Sequence, residues 1–205
     1  TMTNAIVAWD FDVPSDWFRL PLETRGGMRW AAQFADEVAA ELEAESELGI
    51  LATQLEDVQG ELADLGDPWL MGLVAVRPDA PLSVGAVISA RQLAIDDGGS
   101  IDTMEAQLRA DADQLADGAA SRNTEITRGH VDVGAFVRLV QQVEHVDEGE
   151  DLGYVTSRAI YVVFPDGASE VVYFQFTTPD FGYFSNITAE TEGIVRTLRV
   201  QLGEA

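Results

Sequence analysis

The chain contains few residue types that could carry chemistry, and they do not fall into a known catalytic or ligand-binding spacing. It has no cysteine and only two histidines, His130 and His145. Two imidazoles and a carboxylate can form a three-ligand zinc site, but nothing in the sequence brings His130 and His145 together. We therefore predict no metal site and no cofactor.

Two acidic stretches are interpreted as turns. The run 147–151, Asp-Glu-Gly-Glu-Asp, has oxygen ligands of the kind that calcium prefers. It lacks the Asp-x-Asp-x-Asp-Gly spacing of an EF-hand, so a solvated turn is the simpler interpretation. Residues 96–99, Asp-Asp-Gly-Gly, form a second turn, because the paired glycines permit the chain reversal.

Catalytic motifs are also missing from the sequence. No Gly-x-Ser-x-Gly nucleophile motif occurs. Pairs of carboxylates carry no information in a chain with 36 Asp and Glu residues, since they occur everywhere. We predict that the protein is not an enzyme. The alternative left open is a small-ligand-binding protein or hydrolase-type enzyme with an acid- and arginine-lined cleft, using arginines such as Arg128, Arg138 and Arg158.

The net charge restricts the partners. The 36 acidic residues face 12 basic ones, all of them arginine, for a formal charge of -24. Such a surface repels nucleic-acid phosphates and anionic membranes, so neither is an expected partner. A protein with a basic surface is the expected partner instead. The first ten residues lack the features of a signal peptide, and we expect a cytoplasmic location.

A set of aromatic residues in or beside predicted loops is the candidate partner-binding site. Aromatic anchors within a polar rim carry much of the binding energy of protein interfaces. The alternative is that these side chains cap the core under the last helix. The residues are Trp17, Phe18, Phe181, Tyr183 and Phe184.

A predicted hairpin is the element around which the chain is organised. Ile160–Phe164 and Val171–Phe176 are β-branched and aromatic runs. Pro165-Asp166-Gly167 lies between them and supplies the reversal. Because both runs are apolar at nearly every position, we expect strands that are covered on both faces in the middle of a sheet.

The remaining periodicity predicts further strands and helices. A period of two places Val7, Trp9, Phe11 and Val13 on one face of an opening strand over 5–13. It also predicts strands over 69–76, 84–95, 124–133 and 135–146. A helical period predicts a helix pair over 28–65, a helix over 100–115 with Ser100 as its N-cap, and a final helix over 187–198.

This order of elements predicts the fold class. There is no βαβ alternation, so we expect an α+β fold with an antiparallel β-sheet sandwiched by helices. No Pro/Ser-rich linker divides the chain, and we expect one domain over 1–205. The leucine-rich face of the pair over 28–65 either packs on the core or forms a homodimer surface.

The chain resembles Mog1/PsbP-like proteins at its two ends and in the order of the elements between them. Val13-Pro14-Ser15-Asp16-Trp17, after the opening strand, looks like the P-x-x-W entry of that family. The hairpin over 160–178, the polar loop that follows, and the helix ending Ile194-Val-Arg-Thr-Leu-Arg199 resemble its close. The helix pair over 28–65 is longer than the family's early segment and would be an insertion.

The resemblance implies both a fold and a role. The fold is an αβα sandwich, and the role is that of a non-enzymatic adaptor or accessory protein. Small actinobacterial members of the family include proteins associated with type VII secretion, so a link to protein secretion is also implied. The expected function is a non-catalytic binding or accessory protein that acts through a sheet face or the aromatic loop.

Overall fold

The computed structural model describes residues 4–23, 26–44, 47–79, 81–95, 99–115, 119–145, 153–179 and 182–203. The acidic runs at 96–98 and 147–151 and the aromatic residue Phe181 lie outside these ranges. Among the described residues, no helix has the length and hydropathy needed to cross a membrane. The elements are β1 Ile6–Asp10, β2 Trp17–Leu20, α1 Gly27–Glu41, α2 Gly49–Asp64, β3 Met71–Arg77, β4 Ser83–Ala94, α3 Ile101–Asp113, β5 Ala119–Val131, β6 Gly134–His145, β7 Tyr154–Pro165, β8 Glu170–Thr178, α4 Ile187–Val195 and β9 Arg199–Leu202.

The chain divides into two compact units. The first unit comprises residues 1–12 and 91–205, and the second comprises residues 13–90. β1, α3, α4 and β5 to β9 belong to the first unit. β2, β3, α1, α2 and the part of β4 up to Ala90 belong to the second. The single domain over 1–205 stays a prediction.

The first unit is built on an antiparallel meander in the order β8-β7-β6-β5. The predicted central hairpin is confirmed, with Ser157 of β7 opposite Thr178 of β8 and Val163 opposite Val172. Its turn contains Gly167, whose φ of +81° is a conformation that glycine adopts without strain. The strongly apolar runs of the sequence thus mark strands with buried residues on both faces.

Helices cover both faces of this meander. On one face, Leu108 of α3 packs in a buried cluster with Val162 of β7. On the other face, the Tyr161 hydroxyl lies 2.8 Å from Oγ1 of Thr191 in α4. Tyr161 and Val162 are consecutive, and consecutive strand residues point to opposite faces. The predicted α+β fold, an antiparallel sheet between helices, is therefore confirmed.

The start of α3 agrees with the sequence pattern. The Ser100 hydroxyl accepts a hydrogen bond from the Thr103 amide at 3.3 Å, and Oγ1 of Thr103 accepts one from the Ser100 amide at 2.7 Å. These reciprocal bonds form a capping box, which satisfies two amides at the start of the helix. The predicted N-cap is confirmed.

The C-terminal prediction needs a correction, because the last helix ends at Val195 and a further strand follows. This strand, β9, pairs antiparallel with β1. The guanidinium of Arg199 donates two hydrogen bonds of 2.8 Å to the carboxylate of Asp12. These two residues are 187 positions apart in the sequence. No local pattern could have predicted a short strand that depends on such a distant partner.

The opening strand also differs from the prediction at Val7. The alternation placed Val7 on the same face as Trp9 and Phe11, but Val7 is 56% exposed while Phe11 is buried. The pairing between β1 and β9 shifts in register between Ile6 and Ala8. Such an irregularity interrupts the alternation of side chains along a strand, which accounts for the exposure of Val7.

We expect the Asp12–Arg199 pair to make the stability of the first unit depend on pH. The hydrogen bond from Arg199 holds the pKa of Asp12 below the usual range of an aspartate. A carboxylate with a depressed folded-state pKa stabilises the fold above its unfolded pKa, and this contribution is lost as the pH falls through the folded pKa. Asp12→Asn should therefore reduce the midpoint of urea unfolding more at pH 7 than at about pH 2.

The matched control for this prediction is Asp132→Asn in the exposed turn between β5 and β6. We expect this variant to show the same difference between the urea midpoints at pH 7 and at about pH 2 as the parent protein. If Asp12→Asn and Asp132→Asn give the same pH dependence as the parent, the ion pair does not hold β9 to the rest of the first unit.

The second unit packs two helices on strands β2, β3 and β4. The pair over 28–65 is confirmed as two separate helices, α1 and α2. Leu51 and Leu55 of α2 are fully buried in a cluster with Phe18 of β2 and Val74 of β3. The leucine-rich face of α2 therefore packs on the core, which is one of the two arrangements that the sequence left open. A homodimer through α1 and α2 stays a prediction.

Candidate functional site

A cavity of about 670 Å³ opens in the second unit, where β2, the end of α2 and the start of β3 come together. It is lined by residues 19–23, 62–63, 66–68 and 70–71, and we call it the α2–β3 pocket. Its volume lies within the range of roughly 300–1,000 Å³ that is usual for binding pockets. Eight of its twelve lining residues are Leu, Pro, Ala or Met, but polar atoms form about as much of its surface as apolar atoms, so its walls are mixed in character.

A glycine allows the walls of this pocket to lie directly on the sheet. Gly72 of β3 pairs with Leu20 of β2. A Cβ atom at position 72 would lie 2.7 Å from Cδ1 of Leu62 and 3.2 Å from Cδ1 of Leu22. Both distances are shorter than an ordinary carbon–carbon contact of about 3.5–4.0 Å. Gly72 therefore provides the space that the two leucine walls occupy.

A buried amide fixes the loop on one side of the pocket. Gln59 of α2 is only 1% exposed. Its Nε2 donates to the carbonyl oxygen of Pro21 at 2.8 Å, and its Oε1 accepts from the Gly26 amide at 3.2 Å. A buried amide that is bonded at both ends holds its partners in one position. The pocket wall formed by residues 21–23 is therefore pre-formed.

Two large apolar side chains are exposed on the loop that borders the pocket. Trp69 is 67% exposed and Leu65 is 59% exposed. The turn between them is fixed by Asp67, whose Oδ1 accepts from the Trp69 amide at 2.9 Å and whose carbonyl accepts from the Leu70 amide at 3.1 Å. An exposed tryptophan next to a recess is typical of an energetic centre in a protein interface.

The α2–β3 pocket holds three charged side chains among aliphatic ones. The charged residues among its lining are Arg19, Glu23 and Asp67. The described lining residues contain no hydroxyl, thiol or imidazole group, and the carboxylates of Glu23 and Asp67 are the groups there that could act as general bases. The pocket thus combines aliphatic side chains with a few charges.

The structure does not bring the predicted aromatic set together as a surface. Trp17 and Phe18 of β2 are 7% and 9% exposed, so both are buried, and their expected contact with a partner is corrected. Phe18 belongs to the buried cluster beneath α1 and α2, whereas Trp17, the preceding strand residue, is buried on the opposite face of β2. Phe181 lies outside the described residues. A binding role for Tyr183 and Phe184 stays a prediction.

Tyr183 and Phe184 lie in the first unit, before α4. Both are half-buried, and their rings make an edge-to-face contact with centroids 4.9 Å apart. Phe184 lines a smaller cavity of about 290 Å³ together with Gln142, Ser157 and Thr178, which lie side by side on β6, β7 and β8. This recess is neutral and polar, and it is less than half the size of the α2–β3 pocket.

The three arginines proposed for an enzymatic cleft do not share one face of the sheet. Arg128 lies opposite Val137 and Arg158 lies opposite Gln141, which places both on the α3 face. Arg138 points to the α4 face, where it donates to Glu192 at 2.8 Å. The sheet separates Arg138 from the other two arginines. A cleft lined by all three is therefore ruled out.

The two histidines also lie far apart. His130 pairs with Ala135 at one end of β6, whereas His145 is the last residue of that strand. Ten residues of strand separate these positions, which corresponds to about 33 Å. Among the described residues there is no cluster of three or more metal-ligating side chains.

Sequence reasoning did not identify Trp69 as a surface residue, because it placed Trp69 at the start of the strand over 69–76. The strand β3 begins at Met71 instead. The signal was present in Gly66-Asp67-Pro68, since Asp side chains in turns often bond the amide two residues later. That bond from the Trp69 amide to Asp67 keeps Trp69 in the turn.

No family model and no curated protein matches this chain. Among solved structures, it is similar to the Ran-binding protein Mog1p of Saccharomyces cerevisiae, with a TM-score of 0.49 and 13% identity over 98% of this chain and 96% of that one. It is also similar to a protein of Bacteroides thetaiotaomicron, with a TM-score of 0.42 and 11% identity over 98% of this chain.

This chain spans 49% of the Bacteroides chain, about half its length. Mog1p carries the name of the family that the sequence resembles. Because both TM-scores are below 0.5, neither likeness carries an argument about fold or function. The α+β antiparallel fold is established by the strands and helices of the chain itself.

Proposed function

We propose that the protein is a non-catalytic binding protein whose α2–β3 pocket receives an apolar side chain of a partner polypeptide. One observation carries this proposal: Trp69 and Leu65 are exposed in a segment whose neighbouring residues 66–68 and 70–71 line a cavity of about 670 Å³. Large exposed apolar side chains cost solubility, and beside a recess they mark an interaction site.

The pocket suits one anchoring side chain better than a flat contact. Gln59 and Gly72 fix its walls in place, so a partner would not have to order them on binding. Pre-organisation of this kind lowers the entropic cost of association. Trp69 would pack over the inserted group and exclude water from it, as the residues around an energetic centre do.

The proposal is tested by selecting peptides against the whole chain. Random twelve-residue peptides displayed on phage are panned on the immobilised protein, and the enriched peptides are then tested for binding to the Trp69→Ala variant. We expect peptides with a recurrent large apolar residue to be enriched. The Ala63→Phe variant, which fills the pocket from α2, should not bind them although it retains the parent's unfolding temperature.

Tyr154→Ala is the matched control, because Tyr154 is also an exposed aromatic residue, at 53%, and lies in the first unit. Selected peptides should bind this variant as they bind the parent. If no peptide distinguishes the parent from Trp69→Ala, the α2–β3 pocket is not a polypeptide-binding site. An accessory role in protein secretion and a cytoplasmic location stay predictions from the sequence.

A further inference from the structure

An acidic recess continues along α2 beside the proposed binding pocket. It has a volume of about 460 Å³ and is lined by Gly27, Glu56, Asp57, Gln59, Gly60 and Glu61. Residues 59–61 directly precede Leu62 and Ala63, which line the α2–β3 pocket. The two cavities are therefore neighbours on one helix.

The carboxylates of this recess lie along α2 in the direction of the α2–β3 pocket. Asp57 and Glu61 are exposed and one helical turn apart, and Leu65 follows after another turn on the same side of α2. The C-terminal end of α2 adds partial negative charge, and its last turn contains no basic residue. The two cavities together present one arginine, Arg19, against five carboxylates.

We propose that the partner segment is basic: its apolar anchor fills the α2–β3 pocket, and Arg or Lys residues beside the anchor lie along Asp57 and Glu61. This inference rests on the proposed function and specifies the chemistry of the partner. A second copy of this chain is a poor occupant, because it carries a formal charge of -24 and no lysine. Like charges across an interface oppose association.

The test uses the peptides selected for binding that depends on Trp69. We expect them to be enriched in Arg and Lys within a few positions of the apolar residue. The double variant Asp57→Asn/Glu61→Gln should weaken their binding roughly three- to tenfold at about 0.1 M salt, since exposed ion pairs contribute modestly. At about 1 M salt, where charges are screened beyond about 3 Å, this difference should disappear.

The control is the double variant Asp36→Asn/Glu41→Gln, which removes the same charge from exposed positions of α1. It should change the affinity less than twofold. The inference is wrong if the selected peptides are neutral or acidic, or if the two double variants bind them equally well. In either case the partner is not recognised through α2 carboxylates, but the α2–β3 pocket still binds the peptides. Loss of all Trp69-dependent binding would instead overturn the proposed function.

Discussion

Trp69→Ala should lower the affinity for a selected peptide by at least about 2 kcal/mol, or about 30-fold in Kd, while the stability of the protein stays within about 0.5 kcal/mol of the parent. The two effects separate because Trp69 is 67% exposed and contributes little to the core. Truncation of a buried tryptophan would lower both the affinity for the peptide and the stability of the protein. Titration calorimetry measures the affinity, and thermal unfolding measures the stability.

Tyr154→Ala is the control for Trp69→Ala. Tyr154→Ala removes an aromatic side chain of similar exposure from β7, far from the α2–β3 pocket in sequence. It should leave the Kd unchanged within twofold. An equal loss of affinity in both variants would mean that the peptide recognises exposed aromatic surface in general rather than this pocket.

Gly134→Ala should destabilise the protein by about 3 kcal/mol, through backbone strain and overpacking together. Gly134 has a φ of +153° at the start of β6. A Cβ atom there would lie 2.0 Å from the carbonyl oxygen of Phe164, which is a backbone atom of β7 that cannot rotate away. For a protein of about 200 residues we expect the midpoint of thermal unfolding to fall by roughly 6–12 °C.

Gly167→Ala is the matched variant in the neighbouring turn. Gly167 has a φ of +81°, but the nearest atom to an added Cβ is Cδ1 of Leu202 at 3.8 Å, which is an ordinary contact. Only backbone strain remains, and we expect a loss of about 1 kcal/mol. Equal losses of stability in the Gly134→Ala and Gly167→Ala variants would contradict the close approach of Gly134 to the Phe164 carbonyl of β7.

The parts of the fold that the sequence predicted are those with strong local signals. The hairpin of β7 and β8 combines two apolar runs with an Asp-Gly reversal, and α3 begins at a Ser100 capping box. The strand β9 was missed because its stability comes from β1 and from Asp12, at the other end of the chain. Local propensity cannot reveal a pairing of that kind.

The candidate site was harder to predict for the same reason. Its walls come from separate stretches, residues 19–23 and 62–71, which meet only after β2 pairs with β3. Aromatic type alone was a poor guide: Trp17 and Phe18 were expected at a surface and are buried, whereas Trp69 was expected in a strand and is exposed in a turn. The difference lies in strand pairing and turn geometry, neither of which residue type encodes.

Mapping a selected peptide onto the amide spectrum of the isotope-labelled protein tests the binding site most directly. We expect the shifted backbone amides to be concentrated in residues 19–23 and 62–71, with smaller changes along 56–61. Shifts concentrated instead around Tyr183 and Phe184, or spread without pattern over both units, would contradict the assignment of binding to the α2–β3 pocket.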